Sequence, residues 1–211
     1  MNKELFSAEC TRCPRLADFL SEVRRNHPDY YAKPVPPFGD ENPRLLIVGL
    51  APGMHGANRT GRPFTGDHAG ILLYETLHKY GFSTGPVSES AEDGLQLIDC
   101  RITNAVKCLP PENKPEGKEV TLCNSYLKNE LHSYSRLSAV LALGSIAHQA
   151  VLKALDLKVK DYAFGHDLQH RLPNGLNLYD SYHCSRYNTQ TKRLTTPMFE
   201  GVFERIRANL T

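Results

Sequence analysis

Residues 45–73 read LLIVGLAPGMHGANRTGRPFTGDHAGILL. The apolar run 45–48 is the pattern of a buried strand, and 68–73 open a helix. Between them lie nineteen residues, 49–67, with glycines at 49, 53, 56, 61 and 66 and prolines at 52 and 63. A loop of that length, anchored by a strand and a helix, is usually functional; a purely structural loop is the competing reading. Glycine lets backbone approach a ligand closely. Strand, Gly-rich loop and helix are also how phosphates and nucleotides are often held. This loop has neither G-x-G-x-x-G nor a closing Gly-Lys-Ser/Thr, and no pair of magnesium-ligating aspartates accompanies it. A nucleotide-phosphate enzyme therefore ranks last.

Outward from this loop the pattern alternates. Helices are expected over 14–26, 67–80, 118–132, 145–155 and 197–209. Strands are expected over 45–50, most of 95–105, 139–143 and 176–182. A Pro-rich linker covers 32–38 and a polar loop 83–94. Such alternation argues for a parallel sheet covered on both faces. In open α/β sheets, ligands bind beyond the carboxyl ends of the strands. The loop at 51–66, Asn104, Gly144-Ser145 and His183 each follow a predicted strand, so four chemically suggestive groups share one sheet edge.

The composition is that of an ordinary globule: 211 residues, 40% hydrophobic and 23% charged. No apolar run approaches the ~20 residues of a membrane helix. The stretch MNKELFSAEC lacks the apolar core of a signal peptide, so a cytoplasmic location is expected. A net charge of +2 neither demands nor excludes nucleic acid. A DNA-binding face would come from local clusters such as Arg12 with Arg15, Arg24 with Arg25, Arg59 with Arg62, and Arg186 with Lys192 and Arg193.

Six cysteines in a reducing compartment are not expected to form a disulfide frame. Cys10 and Cys13 form a C-x2-C pair, and Cys108 and Cys123 follow about ninety residues later. Four thiolates suit zinc or an iron–sulfur cluster, and spacing alone leaves both open, along with no metal at all. Cys100 and Cys184 fit no motif.

Three segments carry a family resemblance. GLAPG at 49–53 with HGANRTGRPFTGD at 55–67 resembles the first motif of family 5 in the uracil-DNA glycosylase superfamily. YHCSRYNTQTKRLT at 182–195 resembles its second motif. It departs at Lys192, where a glycine is common, and at Cys184, a variable position. TNAVKCLPPENKPEGKEVTLCNSYLKNEL at 103–131 resembles the strand, Cys loop and helix of families 4 and 5.

The resemblance implies a single three-layer α/β/α domain over 1–211 with a central, mostly parallel four-stranded sheet. It implies a 4Fe–4S cluster on Cys10, Cys13, Cys108 and Cys123 that ties in the N-terminal segment. It implies a monofunctional DNA-repair glycosylase that removes uracil, and also hypoxanthine and xanthine, from DNA. A non-catalytic iron–sulfur DNA-binding protein of the same fold is the alternative. Double-stranded DNA is the expected partner, with single-stranded DNA a second form, and the expected assembly is a monomer with no membrane contact.

The residues suit that chemistry. A glycosylase holds a base outside the stack, and Phe64 offers a ring for it. Asn104 has an acceptor and two donors for a Watson–Crick edge. His183 can donate to the base oxygen that gains charge as the glycosidic bond breaks. Gly53, Asn58 and His55 are further candidates for the base site. Leu50 stands where family 4 has Glu and cannot activate water: either another polar group does so, with Asp67 and Asn104 the candidates and Asn58 and His55 also near enough in sequence, or departure of the base supplies most of the catalysis. Asp67 reads equally as the N-cap of the following helix. Arg186 and Tyr187, just past His183, are where superfamily members wedge the duplex, and Ser145 is a further DNA contact.

Overall fold

The run Leu45–Gly49 is buried on both sides, as a central strand of a covered parallel sheet requires. Side chains alternate across a strand, and here Leu46 and Val48 enter one core while Leu45 and Ile47 enter the other. The computed structural model describes residues 5–210; residues 1–4, the start of the N-terminal stretch read above, and residue 211 lie outside the described residues.

Six strands form the sheet: β1 (Phe38–Gly39), β2 (Leu45–Gly49), β3 (Cys100–Asn104), β4 (Ala139–Leu143), β5 (Gln169–Arg171) and β6 (Asn177–Ser181), in the order β1-β3-β2-β4-β6-β5. The four central strands are parallel, and β1 and β5 add antiparallel edges. The expected count of four strands is thus corrected to six. The two edge strands are two and three residues long and mostly exposed to half-buried, so they carry no periodic apolar signal. The strand expected over 95–105 is only β3, because Asp99 takes φ +54° and breaks the extended run.

Helices α1 (Pro14–Asn26), α4 (Gly117–Ser133) and α5 (Ser145–Ala154) cover one face, through Leu16, Leu20, Leu127 and Val151 against Leu46, Val140 and Leu178. Helices α3 (His68–Lys79) and α7 (Thr196–Asn209) cover the other, through Leu73, Leu77, Phe199 and Phe203 against Ile47, Leu141 and Tyr179. Two short helices, α2 (Ala57–Thr60) and α6 (Arg186–Gln190), lie inside the two motif segments. Among the described residues no helix is long and apolar enough to cross a membrane.

Local chemistry fixes the ends. Pro14 at the first turn of α1 presets the helical φ. At α4, Glu116 and Glu119 form a reciprocal capping box. Glu119 is itself buried and takes a two-pronged grip from Arg15, at 2.8 and 2.7 Å, which joins α1 to α4. Thr195 caps α7 through the Met198 N–H.

Candidate active site

The carboxyl ends of β2, β3 and β6 open into one cleft of about 510 Å³, within the ~300–1,000 Å³ usual for ligand sites. Leu50, Phe64, Asp67, Asn104, His183 and Arg186 line it. Gly53 does so as well, along with Ala51, Asn113 and Ser185.

Asn104 is the last residue of β3 and is buried. Its Oδ1 has no hydrogen-bond partner, although a buried acceptor normally has one. Gly49, the last residue of β2, makes its placement possible. A Cβ there would stand 2.4 Å from Asn104 Oδ1 and 2.7 Å from the Phe64 ring. Phe64 holds φ +58°, a conformation strained for any residue but glycine and concentrated at functional sites. Its carbonyl sits where a Cβ on Gly70 would be, so α3 packs directly onto that turn. The ring faces His183, with centroids 5.9 Å apart and planes 27° apart.

His183 follows β6, and its backbone carbonyl accepts from Asn188 Nδ2 at 2.8 Å. Burial lowers its pKa to about 4, so the ring is neutral at physiological pH and carries one N–H for donation.

Asp67 immediately precedes α3 but makes no side-chain cap. Its carboxylate instead turns back under the loop and accepts the Ala57 N–H at 3.3 Å. A Cβ on Gly53 would come within 2.7 Å of Asp67 Oδ1, and one on Gly56 within 1.9 Å of its Cγ. The loop glycines thus vacate the space the carboxylate fills. Burial raises its pKa, opposed by the Ala57 hydrogen bond and by the charges of Arg59 and His55. A carboxylate with raised pKa at a cleft wall is a fitting base.

The other residues singled out in the sequence fall elsewhere. Asn58 is fully buried beneath the loop, with Oδ1 unpartnered and its backbone carbonyl bonded to the Ala32 N–H; it does not line the cleft. His55 is exposed and hydrogen-bonds Tyr30 through Nδ1 at 2.8 Å, also off the cleft wall. Ser145 is exposed at the start of α5, and Tyr187 is 70% exposed on α6. Arg62, grouped with Arg59 as a surface cluster, is buried instead: it pairs with Asp93 at 2.7 Å and lies over the Phe38 ring. Sequence reasoning missed Asn113 and Ser185. Asn113 stands at φ +57° in the loop after Cys108 and had no signal of its own; Ser185 had one as the N-cap of α6, where it accepts the Asn188 N–H.

Cys10, Cys13, Cys108 and Cys123 line a second, smaller cavity between α1, α4 and the segment after β3. None is in a disulfide. The Lys107 N–H points at Cys123 Sγ at 3.3 Å, and Arg12 Nε at Cys10 Sγ at 3.5 Å. Four soft donors from three segments, met by N–H donors, suit a thiolate-bound metal centre. Cys100 and Cys184 are buried in the opposite core and take no part.

Residues 36–207 match the family model described as the uracil DNA glycosylase superfamily. The chain is 44% identical over 208 residues to the type-5 uracil-DNA glycosylase of Thermus thermophilus, covering 94% of both chains. It is 43% identical over 204 residues to that of Pyrobaculum aerophilum, covering 95% of this chain and 88% of the relative. A type-4 uracil-DNA glycosylase of Archaeoglobus fulgidus is 36% identical over 125 residues, covering 59% of this chain and 55% of the relative.

Proposed function

The chain belongs to the uracil-DNA glycosylase superfamily, and on that premise we propose that its cleft hydrolyses the N-glycosidic bond of uracil in DNA, leaving an abasic site for base-excision repair. One observation carries the reading: an aromatic face, an unpartnered amide oxygen, a neutral imidazole and a buried carboxylate, from Phe64, Asn104, His183 and Asp67, converge on a single cleft.

The base must leave the duplex stack to reach that cleft. Phe64 gives it a surface to lie on. Asn104 Oδ1, buried without a donor, accepts an N–H of the pyrimidine edge, and its amide N–H groups answer a base carbonyl. As the bond from C1′ to the base nitrogen breaks, its electron pair passes to the base and charge collects on the adjacent carbonyl oxygen. His183 donates its N–H there, an interaction stronger in the transition state than in the ground state. Backbone N–H groups around Gly53 add to this site. Asp67 holds the water and accepts its proton as the new oxygen–C1′ bond forms. Leu50, on the same wall, offers no polar atom for that task. A cleft of about 510 Å³ lined in part by Leu50 and Ala51 also leaves room for hypoxanthine and xanthine, which we add to the substrate range.

We place a 4Fe–4S cluster on Cys10, Cys13, Cys108 and Cys123. When bound it supplies a cross-link between the N-terminal segment, the loop after β3 and α4, and orients the loop that ends in Asn113 at the cleft. Arg186 on the cleft rim, exposed Tyr187 beside it and Ser145 on the same sheet edge make the DNA-facing surface, with Tyr187 the wedge into the duplex. Duplex DNA is the principal substrate and single strands a second one. A single-domain monomer in the cytoplasm completes the reading.

The test is base release from oligonucleotides bearing uracil, hypoxanthine or xanthine. Release of uracil, with slower release of the purines, is the expected result. Tight binding of damaged DNA with no base released would instead favour a non-catalytic DNA-binding protein of the same fold.

A further inference from the structure

The face of the sheet away from α3 and α7 holds a polar cluster that the glycosylase reaction does not use. Asp180 on β6, His148 on α5 and His170 on β5 bring one carboxylate and two imidazoles together, with their ligand-capable atoms all within 4.8 Å of one another. Asp180 and His148 are buried, and His170 is half-buried at the sheet edge. Phe164 and Tyr162 wall the cluster off, with ring centroids 5.6 Å from His148 and 5.6 Å from His170 respectively.

The hydrogen bonding fixes what this cluster lacks. His148 Nε2 lies 3.0 Å from the Tyr162 carbonyl, which can only accept, so Nε2 carries a proton. Nδ1 then faces Asp180 Oδ1 at 2.7 Å, lone pair to lone pair in the neutral tautomer. A positive centre must lie between them. A proton on Nδ1 would satisfy Oδ1 alone. Asp180 Oδ2 makes no hydrogen bond of good geometry, although the Gly165 N–H approaches the carboxylate, and His170 Nε2 lies 3.7 Å from it. That Nε2 is also 3.0 Å from the Ala163 carbonyl, to which its N–H donates when no metal is bound. Three side-chain ligand atoms therefore lie within 4.8 Å of one another, with the Ala163 carbonyl 3.0 Å from one of them.

The geometry points to a zinc site on His148 Nδ1, His170 Nε2 and Asp180, with the Ala163 carbonyl oxygen as fourth donor. Ligands held ~2.0–2.1 Å from a tetrahedral zinc ion lie ~3.3 Å from one another; His148 Nδ1 stands 2.7 Å from Asp180 Oδ1 and His170 Nε2 3.7 Å from Oδ2, so a small opening of the first contact would seat the ion. A carboxylate with two imidazoles is a hard-to-borderline set that suits zinc rather than calcium or magnesium. The Tyr162 carbonyl, accepting from the far nitrogen of His148, is the partner that orients a metal-bound imidazole. The ion would bind with release of the protons the imidazoles otherwise hold at Nδ1 and Nε2. It would join α5, β5, the 162–163 segment and β6, where Asp180 stands three residues before His183, as a structural clamp separate from the four cysteines.

The experiment uses the iron-loaded protein, whose thiolates are already engaged. It is equilibrated with zinc chloride, dialysed against zinc-free buffer, and assayed for zinc, iron and Tm. The expected result is about one zinc per chain and a raised Tm. His170→Gln, at the exposed side of the cluster, should weaken zinc binding at least tenfold with iron content unchanged; Asp180→Asn should do the same if it folds. No zinc retained by the wild type would leave a proton-linked network and overturn the site. Equal zinc in wild type and His170→Gln would place the ion elsewhere and overturn it as well.

Discussion

The Phe64 ring faces the His183 imidazole at 5.9 Å between centroids, and the two residues come from segments more than a hundred positions apart. On the proposed reading, one supplies a surface and the other a hydrogen-bond donor at the same base. His183→Ala should therefore slow uracil release by ~10²–10³ while affinity for uracil-DNA changes far less, since a donor used in the transition state acts on turnover. Asn104→Ala should slow release too, but unequally among uracil, hypoxanthine and xanthine. Single-turnover rates beside binding titrations decide both, and unchanged release by His183→Ala would remove that residue from the chemistry.

Asp67 makes no cap to α3, so removing its charge should spare the helix. Asp67→Asn is expected to keep its Tm within a degree or two and to lose ~10²–10⁴ in turnover, the usual contribution of a general base. Gly56→Ala places a methyl 1.9 Å from the Asp67 Cγ and should reproduce much of that loss with the carboxylate intact. A large drop in Tm with normal turnover in Asp67→Asn would return the residue to a capping role.

Burial holds the His183 pKa at about 4 in the fold, against ~6.5 in an unfolded chain. The unfolded state then binds the extra proton first, and stability contributed by the neutral ring is lost as pH falls from ~6.5 towards 4. Tm followed from pH 7.5 to 4.5 should fall more steeply for the wild type than for His183→Gln, which has no such proton. The rate of excision should show no limb from His183 near neutrality. If Asp67 is the base, as proposed, its protonation should set the acid limb, because burial raises its pKa above the ordinary carboxylate value.

Tyr187 stands 70% exposed one residue beyond a cleft-lining arginine. Tyr187→Ala should cost excision from duplex DNA severalfold more than from single strands, because only the duplex has a gap to fill after the base leaves it. Equal losses on the two substrates would argue against a wedge.

Cys108→Ser should lower bound iron and Tm together, since the residue lies on the loop that links β3 to the cleft-lining Asn113. Iron analysis and visible absorption of anaerobically prepared protein read the first, and thermal melts the second. Zinc in place of iron in the wild type would overturn the cluster assignment.

The alternation of strands and helices was legible because the central strands are continuous apolar runs bounded by glycine and polar loops, as at 45–49 and 139–143. The edge strands were not, being too short to show a period. In the cleft, Asn104 and His183 were legible as polar residues at strand ends and Phe64 as the aromatic residue of the Gly-rich loop. The orientation of Asp67 did not, because it depends on which backbone atoms a folded loop leaves uncovered. Asn58 and His55 carry the polarity of binding residues, yet local packing turns one inward and ties the other to Tyr30. Asn113 reaches the cleft only through the path of the cysteine loop, which no local pattern encodes.

Gly49, Gly53 and Gly56 abut Asn104, Phe64 and Asp67 so closely that any side chain would occupy their space. These positions contribute no side chain, yet they should tolerate as little change as the residues that do. Innovation in substrate choice is therefore confined to the few wall positions that do bear side chains, chiefly Leu50, Ala51 and Asn113. A lineage that alters its preferred base will record the change there, while the three glycines stay silent.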